Sequence, residues 1–141
     1  MIARSAKVFE LDPRLAEDTA EVCRLALCRV LLSRDGNYPW LILAPERPGI
    51  REIRELEPID RAGLMDEIMR ATDALALLYS PHKINVAALG NVVPQLHVHV
   101  IARFTEDAAW PKPVWGAAPA CAYEPAALES RLAELRAAFA D

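Results

Sequence analysis

The sequence has no apolar run near the roughly 18 residues that a membrane span needs, and its start, MIARSAKVFELDPRL, lacks the apolar stretch of a signal peptide. A cytoplasmic protein with no membrane partner is the expectation. Nor is there an excess of positive charge: 16 Lys and Arg stand against 20 Asp and Glu, for a net charge of −4. The two signs are interspersed and form no basic stripe, which argues against a polymeric nucleic acid partner. Cysteine is scarce. Cys23, Cys28 and Cys121 form an odd set without CxxC spacing, so neither a redox pair nor a metal-binding pattern is present, and each thiol reads as a small apolar side chain. There is no internal repeat, no low-complexity tract and no dividing linker. With 53% hydrophobic residues over 141 positions, one domain spanning residues 1–141 and built on one core is expected.

What is there alternates between strand and helix signals. Residues 9–20, FELDPRLAEDTA, read as a short helical turn, and the run from Cys23 to Leu32 reads as the first strand. The turn chemistry of SRDGNYP then leads to a second strand from Trp40 to Ala44, giving a β-hairpin. A polar connection from Pro45 to Pro58 precedes a helix from about Ile59 to Tyr79, in which Leu64, Ile68, Ala71, Leu75 and Leu78 recur at steps of three and four. Pro58 suits its first turn and Pro81 stops it. KINVAAL and QLHVHVIAR read as two antiparallel strands around a tight loop, GNVVP. An irregular segment carrying Trp110, Pro111, Pro113 and Trp115 separates them from a terminal helix that begins near Pro125, with Leu128, Leu132, Leu135 and Phe139 as its apolar stripe. The two tryptophans either cover the sheet or wall the pocket, and structural covers are the expectation.

The chemistry concentrates in PQLHVHV. On a strand, Gln95, His97 and His99 fall on one face, while Leu96, Val98 and Val100 point to the other. Imidazole is a nucleophile and proton shuttle near neutral pH, and two of them about 7 Å apart along a strand suit shared work on one phosphate. Two other readings stay open at this point. The pair is a satisfied or surface feature of a half-buried strand, or it supplies two metal ligands, with His82 or a carboxylate as the third. His82 follows Pro81 and is expected to be exposed, and no Asp or Glu has an evident ligand spacing.

GNVVPQLHVHVIAR resembles the signature of the histidine triad (HIT) superfamily, His-φ-His-φ-His-φ-φ with φ apolar, preceded by a Gly-containing phosphate loop. WLILAPERP, the polar connection, the amphipathic helix and NVAALGN follow the order of elements in that superfamily, over about residues 22–104, with residues 105–141 as an extension. The resemblance implies an α+β fold: an antiparallel half-barrel sheet with the amphipathic helix packed on it and a C-terminal helix alongside. It implies that His97 is the nucleophile that forms a covalent nucleotidyl-histidine, and that His99 contacts the phosphate and assists the leaving group.

Gln95 stands where the first histidine would be, and an amide orients its neighbours without titrating. Gly90 and Asn91 match the phosphate loop; Asn85 resembles a polar residue near the phosphates and Asp35 an acceptor for ribose hydroxyls, and for both a turn or strand-capping role is equally open. Trp40 replaces a further histidine found beside the site in several relatives. It either stacks on a base or fills the core, and the core is the expectation. The implied activity is hydrolysis or nucleotidyl transfer on a small nucleoside phosphate ester, anhydride or phosphoramidate, such as a dinucleoside polyphosphate. It needs no cofactor and no metal. Homodimers are common in the superfamily, and a homodimer is expected. A nucleotide-binding module with little catalysis, or a metal-dependent hydrolase using the histidine pair, remains as an alternative.

Overall fold

The computed structural model describes residues 7–140. Asp12 starts α1 (Pro13–Asp18): its carboxylate accepts the N–H of Arg14 at 2.8 Å, and Pro13 presets the backbone of the first turn. Then come β1 (Thr19–Arg24), β2 (Cys28–Ser33) and β3 (Trp40–Pro45), a 3-10 turn over Ile53–Glu55, α2 (Pro58–Tyr79), β4 (Lys83–Ala87), β5 (Val98–Arg103) and α3 (Pro125–Phe139). The strands form one antiparallel sheet in the order β1-β2-β3-β5-β4. The fold is the α+β arrangement that the sequence implies. Among the described residues no helix is long and apolar enough to cross a membrane.

The first part of the sheet departs from the sequence reading. The apolar run from Cys23 to Leu32 is the end of β1, a turn at 25–27 and most of β2, and residues 19 and 20 open β1 where a helical turn was expected. Leu25, Ala26 and Leu27 carry no turn signature, because the turn is held from outside. The Glu67 carboxylate on α2 accepts the N–H groups of Leu27 at 2.9 Å and Cys28 at 2.7 Å. Glu67 is buried, and two backbone donors satisfy a charge that would otherwise be costly there. Of the cysteines, Cys28 lies in the core and Cys23 is half-buried, as a small apolar side chain would be, whereas Cys121 is exposed.

Strand periodicity gives the sheet two different faces. Val30, Leu32, Leu41, Leu43, Val98, Val100 and Ala102 share the main core with Leu64, Ile68, Ala71 and Leu75 of α2 and with Leu132, Leu135 and Phe139 of α3. Each fully buried aliphatic side chain contributes about 1.5–3 kcal/mol there. The intervening residues Ile42, His99 and Ile101 take the opposite face. At one end of that face Ile101 packs with Tyr38, Ala109 and Val114.

This second core is fastened by Arg103, which is 1% exposed. Its guanidinium grips Asp107 in a bidentate pair at 2.8 and 3.1 Å and donates to Asn85 Oδ1 and the Lys112 carbonyl, each at 2.8 Å. The rings of Tyr38 and Trp110 flank it. Burial works against the ionised form of Asp107, but the Arg103 hydrogen bonds and the N–H groups of Phe104, Trp110 and Ala109 outweigh it and hold the carboxyl at about 2. The loop that covers this face is therefore anchored at its root.

Candidate active site

The uncovered part of the same face is a cleft of about 800 Å³, a size that suits a small ligand. Its floor is Ile42 and His99, which sit opposite each other in the β3–β5 register, and His97 stands at the entry to β5. One wall is α1, with Arg14, Leu15, Glu17 and Asp18; another is the loop Leu89–Val93; a third is formed by Asp35, Trp115, Ala120 and Ala122. Gly90 has a φ of +77°, a backbone that side chains disfavour, and it brings the loop beside His97.

Both imidazoles are buried, at 7% and 6% exposure, and their ring centroids lie 4.9 Å apart at an interplanar angle of 72°. His97 Nδ1 donates to the Gln95 carbonyl at 2.7 Å. A carbonyl only accepts, so the proton of a neutral His97 sits on Nδ1 and Nε2 keeps a free lone pair. His99 is held differently: its Nδ1 accepts the indole N–H of Trp40 at 2.9 Å. Burial, followed by the charge of neighbouring His97, pushes His99 down to about 4, so it is neutral near pH 7. The ring of Trp115 packs edge-on against His99 at 5.0 Å and against Trp40 at 5.7 Å.

The HIT domain family matches residues 14–106. The chain belongs to the histidine triad family. Three solved histidine triad proteins agree with it closely. One from Bradyrhizobium japonicum is 46% identical, with a TM-score of 0.91 over 93% of this chain and 98% of that one. One from Marinobacter aquaeolei VT8 is 42% identical, with a TM-score of 0.92 over 95% and 98%. One from Sinorhizobium meliloti 1021 is 42% identical, with a TM-score of 0.88 over 90% and 94%. Among curated proteins, none matches.

Against the histidine triad pattern, the structure brings His97, His99, Gly90, Asn91, Asp35 and Trp40 to one cleft. Asp35 is half-buried, and its Oδ1 accepts the N–H groups of Asn37 and Cys121. Two expected site residues stand elsewhere. The side-chain oxygen of Asn85 accepts from the Arg103 guanidinium, and Asn85 belongs to the anchor of the second core. Gln95 does not lie on β5, because the strand begins at Val98; before it the Leu96 N–H bonds to the Ile50 carbonyl at 2.9 Å. Its amide side chain points to residues 10–12, so only its backbone carbonyl reaches the His97 ring.

Trp40 packs half-buried against the second core, as expected, and it also donates to His99 at the edge of the cleft. Trp115 is likewise a cleft wall and not a plain cover, whereas Trp110 is structural, packed between Arg103 and the exposed His82. Sequence reasoning missed α1 as a cleft wall, since it carries no periodic or motif signal, and it favoured the cover over the wall for Trp115. Among the described residues, no three His, Cys, Asp or Glu side chains are grouped to hold a metal ion.

Proposed function

We propose that this histidine triad protein binds a nucleoside phosphate and cleaves it, by hydrolysis or nucleotidyl transfer, through a nucleotidyl-His97 intermediate. The observation that carries the proposal is the pair of opposite tautomers: His97 offers a lone pair on Nε2, and His99 offers a proton on Nε2, at the floor of one cleft. In the first step Nε2 of His97 attacks the α-phosphorus, the bond to the leaving oxygen breaks, and that oxygen departs with the electron pair. The N–H groups of the Gly90–Asn91 loop and the Nε2–H of His99 face the charge that develops on the phosphoryl oxygens. In the second step water or another acceptor takes the nucleotide, its proton passes to solvent, and His97 returns to its neutral form with Nδ1 still donating to the Gln95 carbonyl.

Incubation with a labelled dinucleoside polyphosphate in excess chelator tests this. A covalent, acid-labile adduct that vanishes in His97→Ala is expected. Binding without an adduct would make the protein a nucleotide-binding module, and activity lost to the chelator would make it a metal-dependent hydrolase.

The assembly we propose is a homodimer. β4 is an edge strand with Val86 exposed, and Leu89 and Val92 are exposed in the loop that follows. Light scattering after size exclusion is expected to give twice the monomer mass; a monomer at micromolar concentration overturns the dimer.

A further inference from the structure

We infer that residues Glu10–Asp18 are a strap that the Gln95 side chain fastens along the cleft, and that Arg14 on this strap binds the anionic groups of the ligand. The inference rests on the nucleotide reading above and assigns roles to two residues that a catalytic histidine in the Gln95 position would not provide.

The fastening is bidentate. Gln95 Oε1 accepts the Asp12 N–H at 2.9 Å, and Gln95 Nε2 donates to the Glu10 carbonyl at 2.8 Å. An amide is suited to this because it is a donor and an acceptor at once, so it pairs with an extended backbone as a neighbouring strand would. A neutral imidazole also has one of each, but on a rigid ring whose two nitrogens diverge, and it does not match alternate groups of one extended strand. Both hydrogen bonds join segments more than eighty positions apart, so they close the fold and do not stabilise a local turn.

The fastened segment leads directly into the site. Asp12 caps α1, Leu15 is buried beneath it, and Arg14, Glu17 and Asp18 face the cleft. Among the described residues the Arg14 guanidinium makes no hydrogen bond or ion pair, although its own N–H is held by Asp12. A guanidinium that lines the same cleft as His97 matches a phosphate or other oxyanion. Gln95 also connects the strap to the chemistry, because its carbonyl accepts the Nδ1–H of His97. It is a positioning residue, acting through the strap and through the nucleophile's ring.

The test compares wild type with Gln95→Ala, Gln95→Glu, Arg14→Ala and the Gln95→Ala/Arg14→Ala double variant. Amide exchange is read at Asp12, and binding of α,β-methylene-ADP, which cannot lose its β-phosphate, is read by calorimetry. In Gln95→Ala the Asp12 amide should exchange at least about tenfold faster while β5 amides are unchanged; Gln95→Glu, which keeps the acceptor, should retain part of the protection. Arg14→Ala should weaken binding about tenfold, and the double variant should bind no more weakly than Arg14→Ala alone, within about twofold. An Asp12 amide that stays protected in Gln95→Ala overturns the fastening. Losses that add in the double variant overturn the coupling of strap to ligand. A wild-type protein that binds no nucleotide overturns the role of Arg14 together with the nucleotide reading, whereas the Asp12 exchange still decides the fastening.

Discussion

The indole N–H of Trp40 donates to Nδ1 of His99 at 2.9 Å, across the register that joins β3 to β5. Indole nitrogen is a donor and never an acceptor, so the bond exists only while His99 Nδ1 carries no proton. Protonating His99 would set two N–H groups against each other in a buried corner. In the proposed reaction His99 therefore acts through its Nε2–H as a neutral hydrogen-bond donor and not as a general acid for the leaving group.

Trp40→Phe removes this donor and keeps most of the ring volume. We expect kcat on a dinucleoside polyphosphate to fall about three- to tenfold at pH 8, the worth of one hydrogen bond that fixes a tautomer. The loss should be larger at pH 5, because without the indole N–H no donor opposes a proton on Nδ1 of His99. A ratio of wild-type to variant rate that is equal at pH 5 and pH 8 would show that Trp40 does not control His99.

A site without a ready proton donor favours leaving groups that depart as stable anions. Phosphate from a polyphosphate chain meets that condition, whereas the amine of a phosphoramidate requires a proton. General acid catalysis is worth roughly 10²-fold or more, so kcat/KM for diadenosine tetraphosphate should exceed that for adenosine phosphoramidate by about that factor. Trp40→Phe should narrow the gap. Equal rates on the two substrates in wild type would sink this argument.

Arg103→Ala should cost about 3–5 kcal/mol in urea unfolding, because it strands the Asp107 carboxylate in the interior. Arg103 and Asp107 side chains are 2% and 3% exposed, so solvent cannot replace the lost partner. The Trp110 ring packs on Arg103 and the loop that follows carries Trp115 to His99, so the tryptophan emission should also shift. A variant within 1 kcal/mol of wild type, on the same scale, would show that the pair is dispensable.

The sequence made the helices and the inner strands legible because their apolar residues recur at the period of each element. Leu64, Ile68, Ala71 and Leu75 reach the core as expected, and so do Leu41, Leu43, Val98 and Val100. Features held by distant partners were not legible. The turn at 25–27 has no Gly or Pro and depends on Glu67, some forty residues away. The alternation QLHVHV continues through Gln95, yet pairing starts at Val98, since the Ile50 carbonyl claims the Leu96 N–H. In the site, His97 and His99 were readable from their spacing on a strand, and the Gly90 loop from its resemblance to the histidine triad phosphate loop. The partner of His99 was not, because a tryptophan that fills a core and one that donates a hydrogen bond look alike in a sequence.

The pH dependence of stability gives a last expectation, and its sign follows from His99. Folding lowers the His99 value from 6.5 to about 4, through burial first and the neighbouring His97 charge second. Between those values the unfolded chain holds a proton that the folded chain does not, so stability falls as the pH falls from 6.5 to 4 and is unaffected by this group above 6.5. At 1.36 kcal/mol for each unit, the full loss is about 3 kcal/mol below pH 4. Asp107 acts in a separate window: its folded value of about 2 lies below the ordinary 3.8, so its contribution is intact above 3.8 and is lost as the pH falls toward 2. Urea unfolding of wild type and His99→Gln at pH 8, 7, 6, 5 and 4 separates the two, because glutamine does not titrate. The difference in unfolding free energy between the two proteins should be constant from pH 8 to 7 and then shift against wild type by about 3 kcal/mol by pH 4. A difference that stays flat across the whole range would mean that His99 titrates alike in the folded and unfolded chains, and the neutral-donor role would fall with it.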